Sequence, residues 1–325
     1  MTASSSGGGI APGAGVLVVG GRGFVGSHVV RALLARGCRV HVLGPAMDCD
    51  LLADVAGSFS ETTGGLEDRA LLRDVLARFE PAAVVSCAAF GAGREGLMRS
   101  GERDADRAFA INVDGFRRLM EVTAEAGIRR LVWTSSTVVY GPARDYAETR
   151  VDETAPKRPR TVYGLTKHLA EEVAEFAVRR HGLEIVGLRL PLVLGPGLWY
   201  QGAAAALADL LRAAGRRGEH RIAFHDEPID LMHVRDVAEA CLAALAHPGP
   251  LAPVYNINGF TASAGDLIAE VRARSPELTV AFEHTAPADL FPLVSDARFR
   301  RDMNFAPTFD LAALVANMAS VGEND

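Results

Sequence analysis

Lysine is nearly missing from this sequence. Of 34 basic residues only Lys157 and Lys167 are lysines. Arginine serves everywhere else, so each retained lysine invites a reason. Cysteine is scarce as well: Cys38, Cys49, Cys87 and Cys241 form no CxxC pair and no metal-ligand spacing. That excludes a zinc ribbon and a disulfide scaffold and predicts reduced thiols in a cytoplasmic protein. His225, His233 and His247 form no ligand pattern either, and no metal is expected. Positive charge is not in excess. A net charge of −6 argues against a nucleic-acid surface. No apolar run reaches the roughly 20 residues that a membrane helix needs. Residues 1–15 are rich in Ser, Gly and Ala, with neither a basic start nor an apolar stretch. They predict a disordered leader rather than a signal peptide. The absence of GxSxG and of a Walker-type Gly-Lys-Ser/Thr disfavours a serine hydrolase or a nucleoside triphosphatase.

What is present is an alternation. Apolar runs at 16–19, 39–43, 83–85, 131–135 and 184–190 predict strands. Helical spacing at 24–36, 66–79, 105–126 and 163–181 predicts the helices between them. This pattern implies an α/β fold, a Rossmann-type doubly wound parallel sheet covered on both faces. Beyond Pro191 the pattern breaks at Gly195-Pro196-Gly197 and becomes mixed, with helices near 203–214, 235–246 and 264–274 and strands near Ile222 and 254–257. The expected division is a dinucleotide-binding domain at 16–190, to which 230–247 returns. A smaller C-terminal substrate-binding domain would take 191–229 and 248–325.

Gly20-Gly21-Arg22-Gly23-Phe24-Val25-Gly26 directly follows the first strand and opens the first helix. Gly20, Gly23 and Gly26 allow a tight turn and close approach of a pyrophosphate, which would meet the N–H groups at the start of that helix. A nicotinamide dinucleotide is therefore the expected cofactor. The second strand ends Val42-Leu43-Gly44-Pro45, without the acid that usually holds a ribose 2′-OH. Arg22 could meet a 2′-phosphate instead, which inclines the reading to NADP over NAD. In the opposite reading Arg22 is merely solvated, and Asp48 or Asp50 acts as the ribose acid.

Tyr163 and Lys167 form a YxxxK pattern on a predicted helix, so both side chains share one face. An ammonium beside a phenol lowers its pKa and fits it for proton transfer. Hydroxyls at 134–137 end the strand before it; Ser136 is placed to bond a reacting oxygen, with Ser135 and Thr137 as competitors.

Together these motifs resemble the extended short-chain dehydrogenase/reductase family of epimerases, dehydratases and reductases. The resemblance includes Ala88-Ala89 after the fourth strand, Asn112 in Ile111-Asn112-Val113, Leu188-Arg189-Leu190-Pro191, and Asp230-Leu231-Met232-His233-Val234-Arg235-Asp236. It implies that Tyr163 exchanges the substrate proton and that Lys167 holds the nicotinamide ribose. It further implies that Ser136 orients a carbonyl and that Asn112 supports the architecture. Gly20, Arg22, Gly23, Phe24, Val25, Gly26, Ala88, Ala89 and Pro191 would line the cofactor site. A homodimer through the helices 112–126 and 163–181 is expected by the same analogy.

The departures from the family pattern are informative. Thr137 and Val138 stand where dehydratases carry an Asp-Glu pair, so dehydration is not expected. Ile229 precedes Asp230 where nucleotide-sugar enzymes usually place an Arg, and a second Arg is missing near 286–289. Pro191 replaces a usual Asn, and Gly65 a usual Asp that would contact adenine. Arg212, Arg216, Arg217 and Arg221 are candidates to compensate. Leu198-Trp199-Tyr200 marks the start of the substrate region, where aromatics could pack on a substrate or form domain core. The expectation is an NAD(P)-dependent ketoreductase acting on a sugar-like or secondary-metabolite ketone or alcohol. The alternatives are a nucleotide-sugar epimerase with retained NAD and a non-catalytic dinucleotide sensor.

Overall fold

The computed structural model describes residues 10–202, 204–287 and 290–322; Met1–Gly9, Ala203, Ala288, Asp289 and Glu323–Asp325 lie outside that description. Seven strands build the main sheet: β1 (Gly15–Val19), β2 (Arg39–Gly44), β3 (Ser60–Thr63), β4 (Ala83–Ser86), β5 (Arg130–Ser136), β6 (Glu184–Leu190) and β7 (Val254–Asn256). They lie in the order β7-β6-β5-β4-β1-β2-β3, all parallel. The order reverses at β1, which pairs with both β2 and β4. A crevice opens there at the carboxyl ends of the strands, where doubly wound folds bind ligands.

Helices cover both faces, as the uninterrupted apolar strands require. In β1, Val16 and Val18 face one layer, with α1 (Phe24–Ala35) and α5 (Val234–Ala246). Leu17 and Val19 face the other layer, with α2 (Arg69–Phe79), α3 (Phe116–Glu125) and α4 (Val162–His181). The start of α4 is fixed by Thr161, whose Oγ1 accepts from the Gly164 N–H at 3.0 Å. Gly182, at φ 66°, ends it.

Several expectations are corrected here. Residues 10–15 are tied down rather than loose. The Gly13 N–H donates to Gly37 O at 2.8 Å, and Gly15 already belongs to β1; the rest of the expected leader lies outside the described residues. The single helix expected over 105–126 is broken by a π-helical stretch, Ala110–Gly115, that carries Asn112. The helix expected from Leu66 begins at Arg69, because Asp68 caps the Leu71 N–H at 3.0 Å. Strand β3 was invisible to periodicity because its sequence, SETT, is mostly exposed. Val254–Asn256, assigned to the substrate portion, is the edge strand of the main sheet.

The remaining C-terminal residues form small units over the crevice. One is a three-stranded sheet of Phe260–Ala262, Ile229–His233 and Leu192–Leu194. Gly218–Phe224 pairs with Leu278–His284, and Arg150–Val151 with Leu293–Val294.

Candidate active site

A continuous cavity of about 1260 Å³ runs from the glycine loop to the C-terminal units. Single ligand pockets usually hold about 300–1,000 Å³, so there is room for a dinucleotide and a second molecule. Gly20, Arg22, Gly23, Phe24, Val25, Gly26, Ala88, Ala89, Ser136, Tyr163, Lys167 and Pro191 all contribute to its wall. Asn112 does not; it sits behind the wall as a brace. Its Oδ1 accepts from the Phe90 N–H at 2.7 Å, and its Nδ2 donates to Thr166 Oγ1 at 3.0 Å. It thereby ties the loop after β4 to the turn of α4 that carries Tyr163.

The glycine loop fits a pyrophosphate by exclusion of side chains. Gly20 holds φ at 76°, and a Cβ there would lie 2.9 Å from the Ala88 nitrogen. A Cβ on Gly26 would lie 2.1 Å from Gly20 O. The loop therefore folds tightly under the N-terminus of α1, whose first N–H groups and dipole favour an anion.

Arg22, the candidate partner of a 2′-phosphate, is engaged by carboxylates. Its guanidinium is forked onto Glu61 of β3, with Nε–Oε2 at 2.7 Å and Nη2–Oε1 at 2.8 Å. Its Nη1 also donates to Asp50 Oδ1 at 2.9 Å. The Glu61 carboxyl is held below its usual range by that pairing. Two carboxylates, Asp50 and Glu61 of β3, thus surround one cation near the end of β2. Glu61 could not be found from the sequence because β3 itself carried no signal.

On α4, Tyr163, Lys167 and Glu171 recur at intervals of four and are all buried. Lys167 Nζ donates to the Thr134 carbonyl at 2.7 Å and lies 5.8 Å from the centre of the Tyr163 ring. Burial draws the Lys167 ammonium down to about 8. The Tyr163 phenol is pushed above its ordinary range by burial and by the nearby Tyr200, while Ser136 pulls the other way. The expectation that Lys167 by itself lowers the Tyr163 pKa is thus corrected: desolvation wins, and the phenol holds its proton at neutral pH.

The hydroxyl row is also sorted. Ser135 donates to Glu171 Oε1 at 2.7 Å and so is committed to structure. Glu171 is forked by the fully buried Arg189 at 2.8 and 2.7 Å, and Arg189 donates to the Tyr140 hydroxyl at 2.6 Å. Tyr140 in turn donates to Asn256 Oδ1 at 2.8 Å. This buried chain fixes α4 against β5, β6 and β7. Spacing along α4 was the available signal for Glu171, at i+8 from Tyr163.

Leu97, Met98, Val138, Trp199, Phe224 and Phe291 give the cavity an apolar lining, beside Arg99, Arg107, Arg160 and His225. Ile229 faces it where an arginine was missed. The four candidate compensating arginines do not line it. Arg212 pairs with Asp209, Arg217 with Glu277 and Arg221 with Glu219, and Arg216 also has a partner. Of the other arginines that line the cavity, Arg107 pairs with Glu67 and Arg160 with Asp145, while Arg99 makes no ion pair among the described residues. Asp230 is enclosed by donors: Thr261 Oγ1 at 2.6 Å, Val294 N–H at 2.7 Å and Asn258 Nδ2 at 2.9 Å.

The model of the NAD dependent epimerase/dehydratase family matches residues 16–258. The chain belongs to this family. Mitochondrial L-threonine 3-dehydrogenase of Bos taurus is 29% identical over 231 residues, 68% of this chain and 61% of that enzyme. Sterol demethylase protein B of Methylococcus capsulatus is 32% identical over 231 residues, 70% of this chain and 65% of that protein. This chain therefore spans less than two thirds of either relative's length. The structure of UDP-glucose 4-epimerase from Thermus thermophilus in complex with NAD superimposes with a TM-score of 0.78 at 25% identity, over 95% of this chain and 99% of that one. The family resembled by the motifs is the one to which the chain belongs, and its enzymes use nicotinamide dinucleotides.

Proposed function

We propose that this chain is an NAD-dependent oxidoreductase that interconverts a ketone and a secondary alcohol on a substrate with a largely apolar body. One observation supports the substrate class: Leu97, Met98, Val138, Trp199, Phe224, Ile229 and Phe291 line the cavity, and of the arginines there besides Arg22, Arg107 and Arg160 are already ion-paired, which leaves Arg99 alone to meet a diphosphate. The sterol-related name of one relative accords with such a body.

A bound nicotinamide supplies or accepts the hydride. The protein's own part is positioning and proton transfer. Ser136 holds the carbonyl oxygen, and Tyr163, kept protonated by burial, gives it a proton in the reducing direction. Lys167, fixed by the Thr134 carbonyl, keeps a cation next to Tyr163 and would hold the nicotinamide ribose. Asn112 holds the loop after β4 and the first turn of α4 in register.

The cofactor assignment is NAD rather than NADP, because Arg22 is already neutralised by Glu61 and Asp50. A 2′-phosphate would enter beside two carboxylates, whereas a ribose 2′-OH can donate to them. Tyr163→Phe tests the reaction. NADH-dependent reduction of an aryl ketone panel should fall by at least about 100-fold, the usual scale of a general acid, with NADH affinity kept. Equal turnover in that variant would sink the assignment. The second reading, a nucleotide-sugar epimerase, is favoured by the likeness to the Thermus enzyme. It requires NAD that stays bound through purification and a reaction without net redox change.

A further inference from the structure

Lys167 is 3% exposed, and a buried ammonium needs partners for its charge. Among the described residues its Nζ donates only to the Thr134 carbonyl. No carboxylate among them forms an ion pair with it. Glu171, one turn further along α4, is forked by Arg189, accepts from Ser135 and lies 3.8 Å from Lys157, so it supports the Lys167 charge only at longer range. Burial keeps the Cys87 thiol and the Tyr163 phenol protonated, and neither supplies a negative charge. What the fold does set against the ammonium is a ring. Lys167 Nζ lies over Trp133 of β5, 5.4 Å from the ring centre.

The indole is seated for this contact. Trp133 stands opposite Gly187 of β6 in the ladder, and a Cβ on Gly187 would lie 3.0 Å from the indole Nε1. Phe116 of α3 packs against the same ring, at 4.5 Å between centroids. The residue is buried, and its Nε1 has no hydrogen-bond partner among the described residues. An unpaired buried N–H is a cost that a phenylalanine there would not carry. The polar edge of the indole thus holds nothing. What the side chain offers its surroundings is a large π face, the best aromatic partner for a cation, and such a contact strengthens where water is excluded.

We propose that Trp133 is a positioning residue: its indole face holds the Lys167 ammonium charged and in place beside Tyr163. This rests on the oxidoreductase reading, in which that cation serves the proton transfer, and adds to it the group that keeps the cation charged. A smaller aromatic ring holds the ammonium less well, and an aliphatic side chain does not hold it.

The test exploits the scarcity of lysine. With lysine labelled at 13Cε, the full-length chain gives NMR signals from Lys157 and Lys167 alone, and Lys157→Arg assigns the one from Lys167. Its pH titration is followed in the wild type, Trp133→Phe and Trp133→Met, the two variants being similar in volume and different in π character. The Lys167 midpoint, near pH 8 in the wild type, should fall by about one pH unit in Trp133→Met and by less in Trp133→Phe, the scale of a desolvated cation–π contact. The alkaline limb of the kcat/KM profile for NADH-dependent reduction of an aryl ketone should move down in the same order, with Trp133→Phe recovering much of the loss. A merely structural role would lower kcat/KM at every pH and leave the midpoints together. Midpoints that coincide in the three proteins, or that rise on substitution, overturn the proposal. Should Trp133→Met not fold, Trp133→Phe decides, and a midpoint equal to that of the wild type overturns it. If the midpoints move as stated but the wild type reduces no ketone, the oxidoreductase reading fails while the hold of Trp133 on Lys167 stands.

Discussion

The cofactor assignment can be tested at three side chains. In the wild type, the charges at the ribose end sum to about one negative unit: Arg22 against Glu61 and Asp50. A 2′-phosphate adds between one and two more. A unit charge pair about 4 Å apart is worth about 1 kcal/mol in bulk water and about 4 at an effective dielectric of 20. Glu61 and Asp50 are 44% and 54% exposed, which puts the site near the lower limit. NADPH should therefore bind more weakly than NADH by about 1–2 kcal/mol, or about 5- to 30-fold. Glu61→Gln removes one carboxylate and frees the Arg22 fork. The NADPH-to-NADH affinity ratio should rise by a similar factor or more. Arg22→Ala should lower NADPH affinity further while changing NADH affinity little. Fluorescence titration of both dinucleotides at low and high salt measures these ratios, and the differences should shrink with salt. Wild-type preference for NADPH that Arg22→Ala abolishes would refute the reasoning. It would mean that Arg22 leaves Glu61 for the phosphate.

Other perturbations give separate outcomes. Lys167 holds its proton only to about pH 8 when folded, against about 10.4 for a free lysine. Reduction that needs the ammonium should therefore decline above pH about 8 in a kcat/KM profile. Between those two values the unfolded chain binds more protons, so folding stability should rise with pH across that window while activity falls. Arg189→Met leaves the Glu171 carboxylate buried without its fork and should cost about 3–5 kcal/mol in urea denaturation. Adding Glu171→Gln should restore much of this; a double variant as unstable as the sum of the singles would refute the ion-pair account. Phe176, 59% exposed on α4, is a natural contact for the proposed homodimer. Phe176→Glu should convert a dimer to a monomer in light scattering, and an unchanged mass would remove that face from consideration.

The sequence by itself determined the layered α/β plan, the glycine loop and the Tyr163/Lys167 pair, because each rests on local chemistry. Buried parallel strands show as unbroken apolar runs, a phosphate loop needs glycine at fixed intervals, and side chains four apart on a helix share a face. It also marked Ser136 and Asn112 through their motif positions. The tertiary structure alone decided the charge around Arg22, because Glu61 lies 39 positions away on a strand without a hydrophobic signature. It alone set the direction of the Tyr163 shift, because desolvation depends on everything packed around the phenol rather than on its nearest charged neighbour in sequence. It alone showed which hydroxyl in the row 134–137 was already committed, through Ser135 and the Glu171–Arg189 pair. It paired the loop at Arg94–Gly96 with Gln201, a closeness between segments about a hundred residues apart that no local pattern records.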